Sequence, residues 1–239
     1  MNPFDVNILS FLNQFAQKSQ AFDSIMVLFA YNDLFKGGIV MALLWGAYYH
    51  HNENKLFNRE YLIPTATICC ASAVFVTRVV AFILPFRERP LHTPEFKFNL
   101  PYTMSPVPLI DWSSFPSDHA ALFFALATGS YFYRRQLGAF VFLYVCFAIC
   151  LPRLYIGIHW PTDIIFGALI GVVTAYLGNI SAVRISVNRL SAQWLEKSPG
   201  SFHAGFFLWT YQTATLFNGV RGIASVVYHS FRKIPSGLQ

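Results

Sequence analysis

The chain has 239 residues, of which 55% are hydrophobic, 18% aromatic and only 12% charged. Soluble domains carry roughly twice that charge fraction, so the composition excludes an ordinary water-soluble fold and fits a polytopic membrane protein. A net charge of +6 on so few charged groups points to membrane lipids and phosphorylated lipids as partners, and away from nucleic acid.

Phe4, Ile8, Phe11, Leu12 and Phe15 recur at helical spacing opposite Asn7, Asn13, Gln14 and Lys18. This predicts an amphipathic helix within residues 1–20 that lies in the membrane interface. Residues 21–49 are apolar but interrupted by Asn32, Asp33 and Lys36. They read as a short interfacial segment followed by a first span over 35–49, with one long tilted span from near Ile25 as the alternative. A polar loop (50–60) leads to a second span over 61–84, closed by Pro85 and containing Arg78. A charge at that depth needs a partner, a water-filled pocket or a route to the interface.

Residues 86–115 form a long loop with Arg87, Glu88, Arg89, His92, Lys97, Asp111 and five prolines. Loops of that length are uncommon unless they carry function. Three further spans follow over 117–133, 137–151 and 161–179. In the tail (181–239), Phe206, Trp209, Leu216, Val220, Ile223 and Val227 form a stripe beside Arg221, Arg232 and Lys233. An interfacial helix on an anionic leaflet fits this better than a sixth span. The expected fold class is therefore all-α. It is a polytopic membrane helix bundle of about five spans (21–180) with N-terminal and C-terminal interfacial helices.

Cys69, Cys70, Cys146 and Cys150 all lie in apolar stretches with no His or Asp at ligand spacing. They read as packing residues, and no metal or other cofactor is expected. Lys55, Arg59, Arg134, Arg135, Arg184, Arg189 and Lys197 fall on one face of a five-span map, which the positive-inside rule makes cytoplasmic. Arg87, Arg89, Arg153, His119 and His159 gather on the other face.

Three segments on that second face carry chemistry. In Pro152–Asp163, Arg153 is followed by His159 six positions on and by Asp163 four beyond it. Pro161 suits the first position of a helix, and Asp163 falls in its first turn. From there Asp163 can accept a hydrogen bond from one ring nitrogen of His159, fixing the tautomer and leaving the other nitrogen as a nucleophile. Arg153 adds a planar fork suited to phosphate oxygens. Ser117 is a good N-cap for the helix that carries Asp118 and His119, a second helix N-terminus facing the same side. Arg89-Pro90 lies on the preceding loop. Each alone has an ordinary structural reading as a cap, a surface arginine or a core histidine. Together they converge on one phosphate site.

Arg89-Pro90, Pro116-Ser117-Asp118-His119 and Arg153-x5-His159-x3-Asp163, in that order, resemble the three-part signature of the type-2 phosphatidic acid phosphatase superfamily. The Asp118 variant and the compact layout are similar to bacterial undecaprenyl-pyrophosphate phosphatases of the bacitracin-resistance type. The resemblance implies a metal-free mechanism. His159 would be the nucleophile, Asp163 would orient it, and His119 would protonate the leaving oxygen and later activate water. Arg89, Arg153, Ser117 and the Asp118 backbone would hold phosphate oxygens. The sequence departs from the family pattern at Phe82, where a lysine is usual, and at Pro152, where a serine is usual. Arg78, one turn before Phe82, is the candidate substitute, and Arg78 and Arg87 are further cations for a leaving phosphate. The implied function is hydrolysis of polyprenyl (undecaprenyl) pyrophosphate at the non-cytoplasmic face of a bacterial plasma membrane. A phosphatidate, phosphatidylglycerophosphate or lipid A phosphatase is the alternative, and a non-enzymatic lipid-phosphate carrier is the rival of another class.

Overall fold

One helix, α5 (Asp118–Tyr133), is buried on all sides over Ala120 to Ala127 and forms the axis of the molecule. An apolar run without a polar face has no solvent side to present, and the other helices assemble around it. The computed structural model describes residues 2–50, 61–104, 112–220 and 222, which hold α-helices and no strand. In chain order the other helices are α1 (Pro3–Asn13), α2 (Gln20–Tyr31), α3 (Leu34–Tyr49), α4 (Leu62–Ile83), α6 (Arg135–Tyr155), α7 (Pro161–Gly178), α8 (Ser181–Lys197) and α9 (Pro199–Ala214).

The tightest contact joins α5 to α7. A Cβ on Gly171 would lie 2.1 Å from the Ala121 carbonyl oxygen, and one on Gly167 would lie 2.4 Å from that of Ser117. The two backbones therefore touch, as small residues permit between membrane helices. Cys69 and Ala73 of α4 pack beside Ala121 and Ala125 with Ala175 of α7, and Val141, Val145 and Ile149 of α6 join the larger core.

Helices α4, α6 and α7 are each long and apolar enough to cross a membrane, and α2 with α3 forms a bent pair that qualifies as a fourth. The 16 residues of α5 cover about 24 Å at about 1.5 Å per residue, short of a hydrocarbon core of about 30 Å. The expected break before the first span is a 64° bend. Asn32 turns extended there, and its side-chain oxygen accepts from the N–H groups of Leu34 (3.0 Å) and Phe35 (3.4 Å), starting α3 afresh. Helix α6 runs past the expected end at 151 and places Arg153 in its last turn. The widened π turn Val145–Cys150 precedes Pro152, where the ladder must absorb a ring and a missing N–H.

In α1 the aromatic stripe stays outside, with Phe4, Phe11 and Phe15 exposed, while Asp5, Leu9 and Asn13 pack inward. Asn13 donates to the Asn99 carbonyl (2.8 Å) and accepts from the Asn99 N–H (2.9 Å), tying α1 to the long loop. The tail divides differently from the single expected stripe. Helix α8 has no buried residue. Helix α9 packs antiparallel along α3, with Trp45 Nε1 donating to Thr210 (3.0 Å), Tyr48 beside His203, and Gly37 against Ala214. Phe206 is thus core, and the chain turns at Leu216 and Phe217 through positive φ, so the stripe does not continue as one helix. Lys55, Arg59, Asp111, Arg221, Ile223, Val227, Arg232 and Lys233 lie outside the described residues.

The α5–α7 contact sets a stability test. Gly171→Ala must push two backbones apart at a cost of about 1–3 kcal/mol. Its thermal unfolding midpoint in detergent should fall by several degrees. Gly46→Ala, whose Cβ meets nothing within 4 Å, should leave the midpoint unchanged or slightly raised.

Candidate active site

After α6 the chain needs a left-handed step, and Gly157 provides it at φ +71°. A Cβ here would lie 2.7 Å from the Phe98 ring. The Gly157 carbonyl accepts from the Leu91 N–H (3.0 Å), locking this turn to the long loop. His159 follows, buried, and then Trp160 in extended conformation leads into Pro161 at the start of α7. Trp160 Nε1 donates to the Glu88 carbonyl (2.9 Å).

The His159 ring is set by a carbonyl. Its Nδ1 stands 2.9 Å from the Ser114 oxygen and 3.6 Å from Asp163 Oδ2. A carbonyl can only accept, so Nδ1 carries the hydrogen and Nε2 keeps the lone pair. The expected Asp163–His159 pairing is thus looser than a direct hydrogen bond. Asp163 Oδ2 accepts from the Trp160 N–H (2.7 Å) at the head of its own helix, and Oδ1 accepts from Arg87 Nη1 (2.6 Å). Ser114 escaped the sequence analysis because its contribution is a main-chain oxygen, which no residue type signals. Burial pushes the His159 pKa below the ordinary histidine value of 6.5, with Asp163 opposing the shift and Arg89 and Arg153 reinforcing it.

A cavity of about 490 Å³ brings together Arg78, Arg89, Trp112, Asp118, His119 and His159. Both histidines singled out in the sequence line it. Arg89 is buried, donates from Nη1 to the Ile158 carbonyl (2.6 Å), and has an Nε without a hydrogen-bond partner. Burial lowers its pKa from the ordinary arginine value, with Asp163 and Tyr31 opposing. Arg78 pairs with Asp118 and lies 4.9 Å over the Trp112 ring. Phe82, at the usual lysine position, is 91% exposed on the outside of the bundle.

Arg153, Ser117 and Arg87 do not belong to the cavity lining. Arg153 is fully buried, with Nη1 donating to the Ile149 carbonyl (3.1 Å) and Nε unpartnered. Ser117 caps α5, its Oγ accepting from the Ala120 N–H (3.4 Å), and its own N–H donates to the Asp163 carbonyl (3.0 Å). That bond ties the heads of α5 and α7 together. Arg87, expected near a leaving phosphate, instead spans two carboxylates. Its Nη1 reaches Asp163 and its Nη2 reaches Asp5 Oδ2 (2.6 Å). Asp5 receives no role from the sequence alone. Its position four and eight residues before Leu9 and Asn13, on the face opposite the aromatic stripe, was the available signal. Among the described residues no group of three or more His, Cys, Asp or Glu is placed to hold a metal ion.

Residues 65–185 match the PAP2 superfamily. The chain belongs to that family. PAP2 relatives include the bacitracin transport permease protein BcrC of Bacillus licheniformis, 35% identical over 31% of this chain and 36% of that protein. A putative undecaprenyl-diphosphatase YbjG of Escherichia coli K12 is 28% identical over 56% and 59% of the two chains. The lipid A 1-diphosphate synthase of the same organism is 26% identical over 70% and 71%. The chain thus spans about a third and under two thirds of the first two relatives. The crystal structure of Aquifex aeolicus LpxE superposes with a TM-score of 0.54 at 25% identity, over 74% of this chain and 98% of that one. This PAP2 member carries helices long and apolar enough to cross a membrane.

The burial of His159 sets a direct titration test. In ¹⁵N-histidine NMR of the detergent-solubilised protein, its ring should remain neutral at pH 6.5 and protonate at lower pH. Between those values the unfolded chain binds the proton and the folded chain does not, so folding stability should rise with pH across the window. A His159 resonance titrating above 6.5 would contradict this electrostatic account.

Proposed function

We propose that the protein is an integral membrane phosphatase that hydrolyses a lipid pyrophosphate, of the polyprenyl class, to the monophosphate through a phosphohistidine at His159. The observation that carries this reading is the pair of histidines facing one cavity, with His159 Nε2 freed by the Ser114 carbonyl. In the first step Nε2 attacks the terminal phosphorus, the bond to the bridging oxygen breaks, and His119 gives that oxygen a proton. In the second step His119 takes a proton from water, which attacks the phosphoryl group and releases inorganic phosphate and His159. Arg89 lines the cavity with a buried Nε–H group that lacks a partner, and the α5 N-terminus adds a partial positive charge. Donors fixed in advance around a transferring phosphoryl group are the main resource of such sites.

The pyrophosphate preference rests on Arg78. It lines the cavity beside Asp118 and Trp112, and a cation beyond those serving the attacked phosphate would stabilise charge on a leaving phosphate. The name of the YbjG relative, a putative undecaprenyl-diphosphatase, agrees with that class. Lipid A phosphate is the second reading, favoured by the likeness to the lipid A 1-diphosphate synthase over 71% of that protein. A lipid-phosphate binding protein without turnover is the rival of another class, and phosphate release by the purified protein separates the two. The basic residues Arg134, Arg135, Arg184, Arg189 and Lys197 support a bacterial plasma membrane orientation with the site on the non-cytoplasmic face.

Phosphate release from farnesyl pyrophosphate by the purified protein should persist in EDTA, and His159→Ala should abolish it. Farnesyl pyrophosphate should be turned over faster than farnesyl monophosphate, and Arg78→Ala should narrow that ratio about tenfold. Equal turnover of the two by the unmodified protein would favour the monoester phosphatase readings. A cysteine at Thr93, in a background without the four native cysteines, should label from outside spheroplasts with an impermeant reagent, whereas one at Asn54 should not.

A further inference from the structure

The N-terminal helix reaches the reaction centre through one guanidinium. Arg87 Nη1 donates to Asp163 Oδ1 (2.6 Å) and to Thr162 Oγ1 (2.8 Å), while Nη2 donates to Asp5 Oδ2 (2.6 Å). Asp5 also accepts from the Thr162 N–H (2.8 Å) and from the Thr162 hydroxyl (2.7 Å). Asp5 and Asp163 are both buried. Arg87 is confined between the Trp160 ring, 5.6 Å from its guanidinium carbon, and the Phe115 ring at 6.0 Å. One cation is therefore shared by two carboxylates, and only one of them stands behind His159.

We propose that Asp5 is a positioning residue for the reaction, which holds one end of Arg87 so that Asp163 keeps negative charge behind His159. The inference rests on the phosphohistidine reading above. When Nε2 bonds to phosphorus while Nδ1 keeps its hydrogen, the ring becomes cationic. A carboxylate 3.6 Å away stabilises that charge, and a carboxylate wholly neutralised by an arginine stabilises it less. Asp5 divides the arginine and prevents that neutralisation. The other charged or titratable groups facing this region are Arg89, Arg153 and Tyr31 on one side, and His119, Arg78 and Asp118 around the cavity. None of them contacts Asp5 among the hydrogen bonds and ion pairs described. Changing Asp5 therefore acts on Arg87 and on the two Thr162 bonds, with Arg87 the charged group whose share it alters.

The test is Asp5→Asn in the full-length protein, assayed on farnesyl pyrophosphate across pH. The amide oxygen can still accept from the Thr162 N–H, so the docking of α1 retains that bond while the negative charge is lost. Arg87 then turns wholly to Asp163, and the local field on His159 becomes more positive. The acid limb of kcat/KM should move to lower pH by about half a unit or more, and kcat should fall about tenfold with little change in KM. Asp5→Glu should recover most of the activity and the original limb. Arg87→Gln removes the cation and should move the limb the opposite way, which keeps the idea testable if Asp5→Asn does not fold. An unmoved limb in a folded Asp5→Asn, or in Arg87→Gln, would overturn the proposal. His159→Ala run alongside separates the two claims: if it is inactive while the Asp5 limb stays put, this inference alone fails, and if it is active, the nucleophile assignment fails.

Discussion

The contact on which the rest of the structure depends is the meeting of two helix N-termini. Helices α5 and α7 approach until backbone touches backbone at Gly167 and Gly171, and the Ser117 N–H closes the join on the Asp163 carbonyl. Each N-terminus brings a partial positive charge to the same place. His119 rides one of these helices, and His159 lies just before the other. A larger residue at either glycine would separate the two histidines as well as the helices.

Around that join the protein handles buried charge by sharing it. Arg87 serves Asp5 and Asp163, Arg78 serves Asp118, and Trp160 and Ser114 fasten the loop that carries Arg89. A charge placed in a low-dielectric interior is costly unless paired or hydrogen-bonded. The buried Nε groups of Arg89 and Arg153 are among the described polar atoms where that cost is left standing.

Several elements were legible for plain reasons. The spans α4 and α7 follow from long apolar runs, Ser117 follows from its capping chemistry, and the break near Asn32 follows from polar residues inside an apolar stretch. Other features were not. The end of α6 was placed at the residue before Pro152, yet a π turn lets the helix continue and buries Arg153 inside it. In the tail, periodicity alone drew one stripe from Phe206 to Val227, but the chain turns at Leu216 and Phe217, and Leu216 lines the cavity instead.

From the sequence alone came the fold class, the membrane setting, the three motif segments and the identity of the candidate nucleophile, because hydropathy, capping and residue spacing are local quantities. Only the tertiary structure decided which groups act on which. The Ser114 carbonyl orients His159 from 45 residues away, Asp5 reaches Asp163 through Arg87, and Arg78 finds Asp118 across the cavity. Long-range contacts of that kind depend on how helices are packed and on main-chain atoms that every residue carries, and neither leaves a mark in the order of side chains.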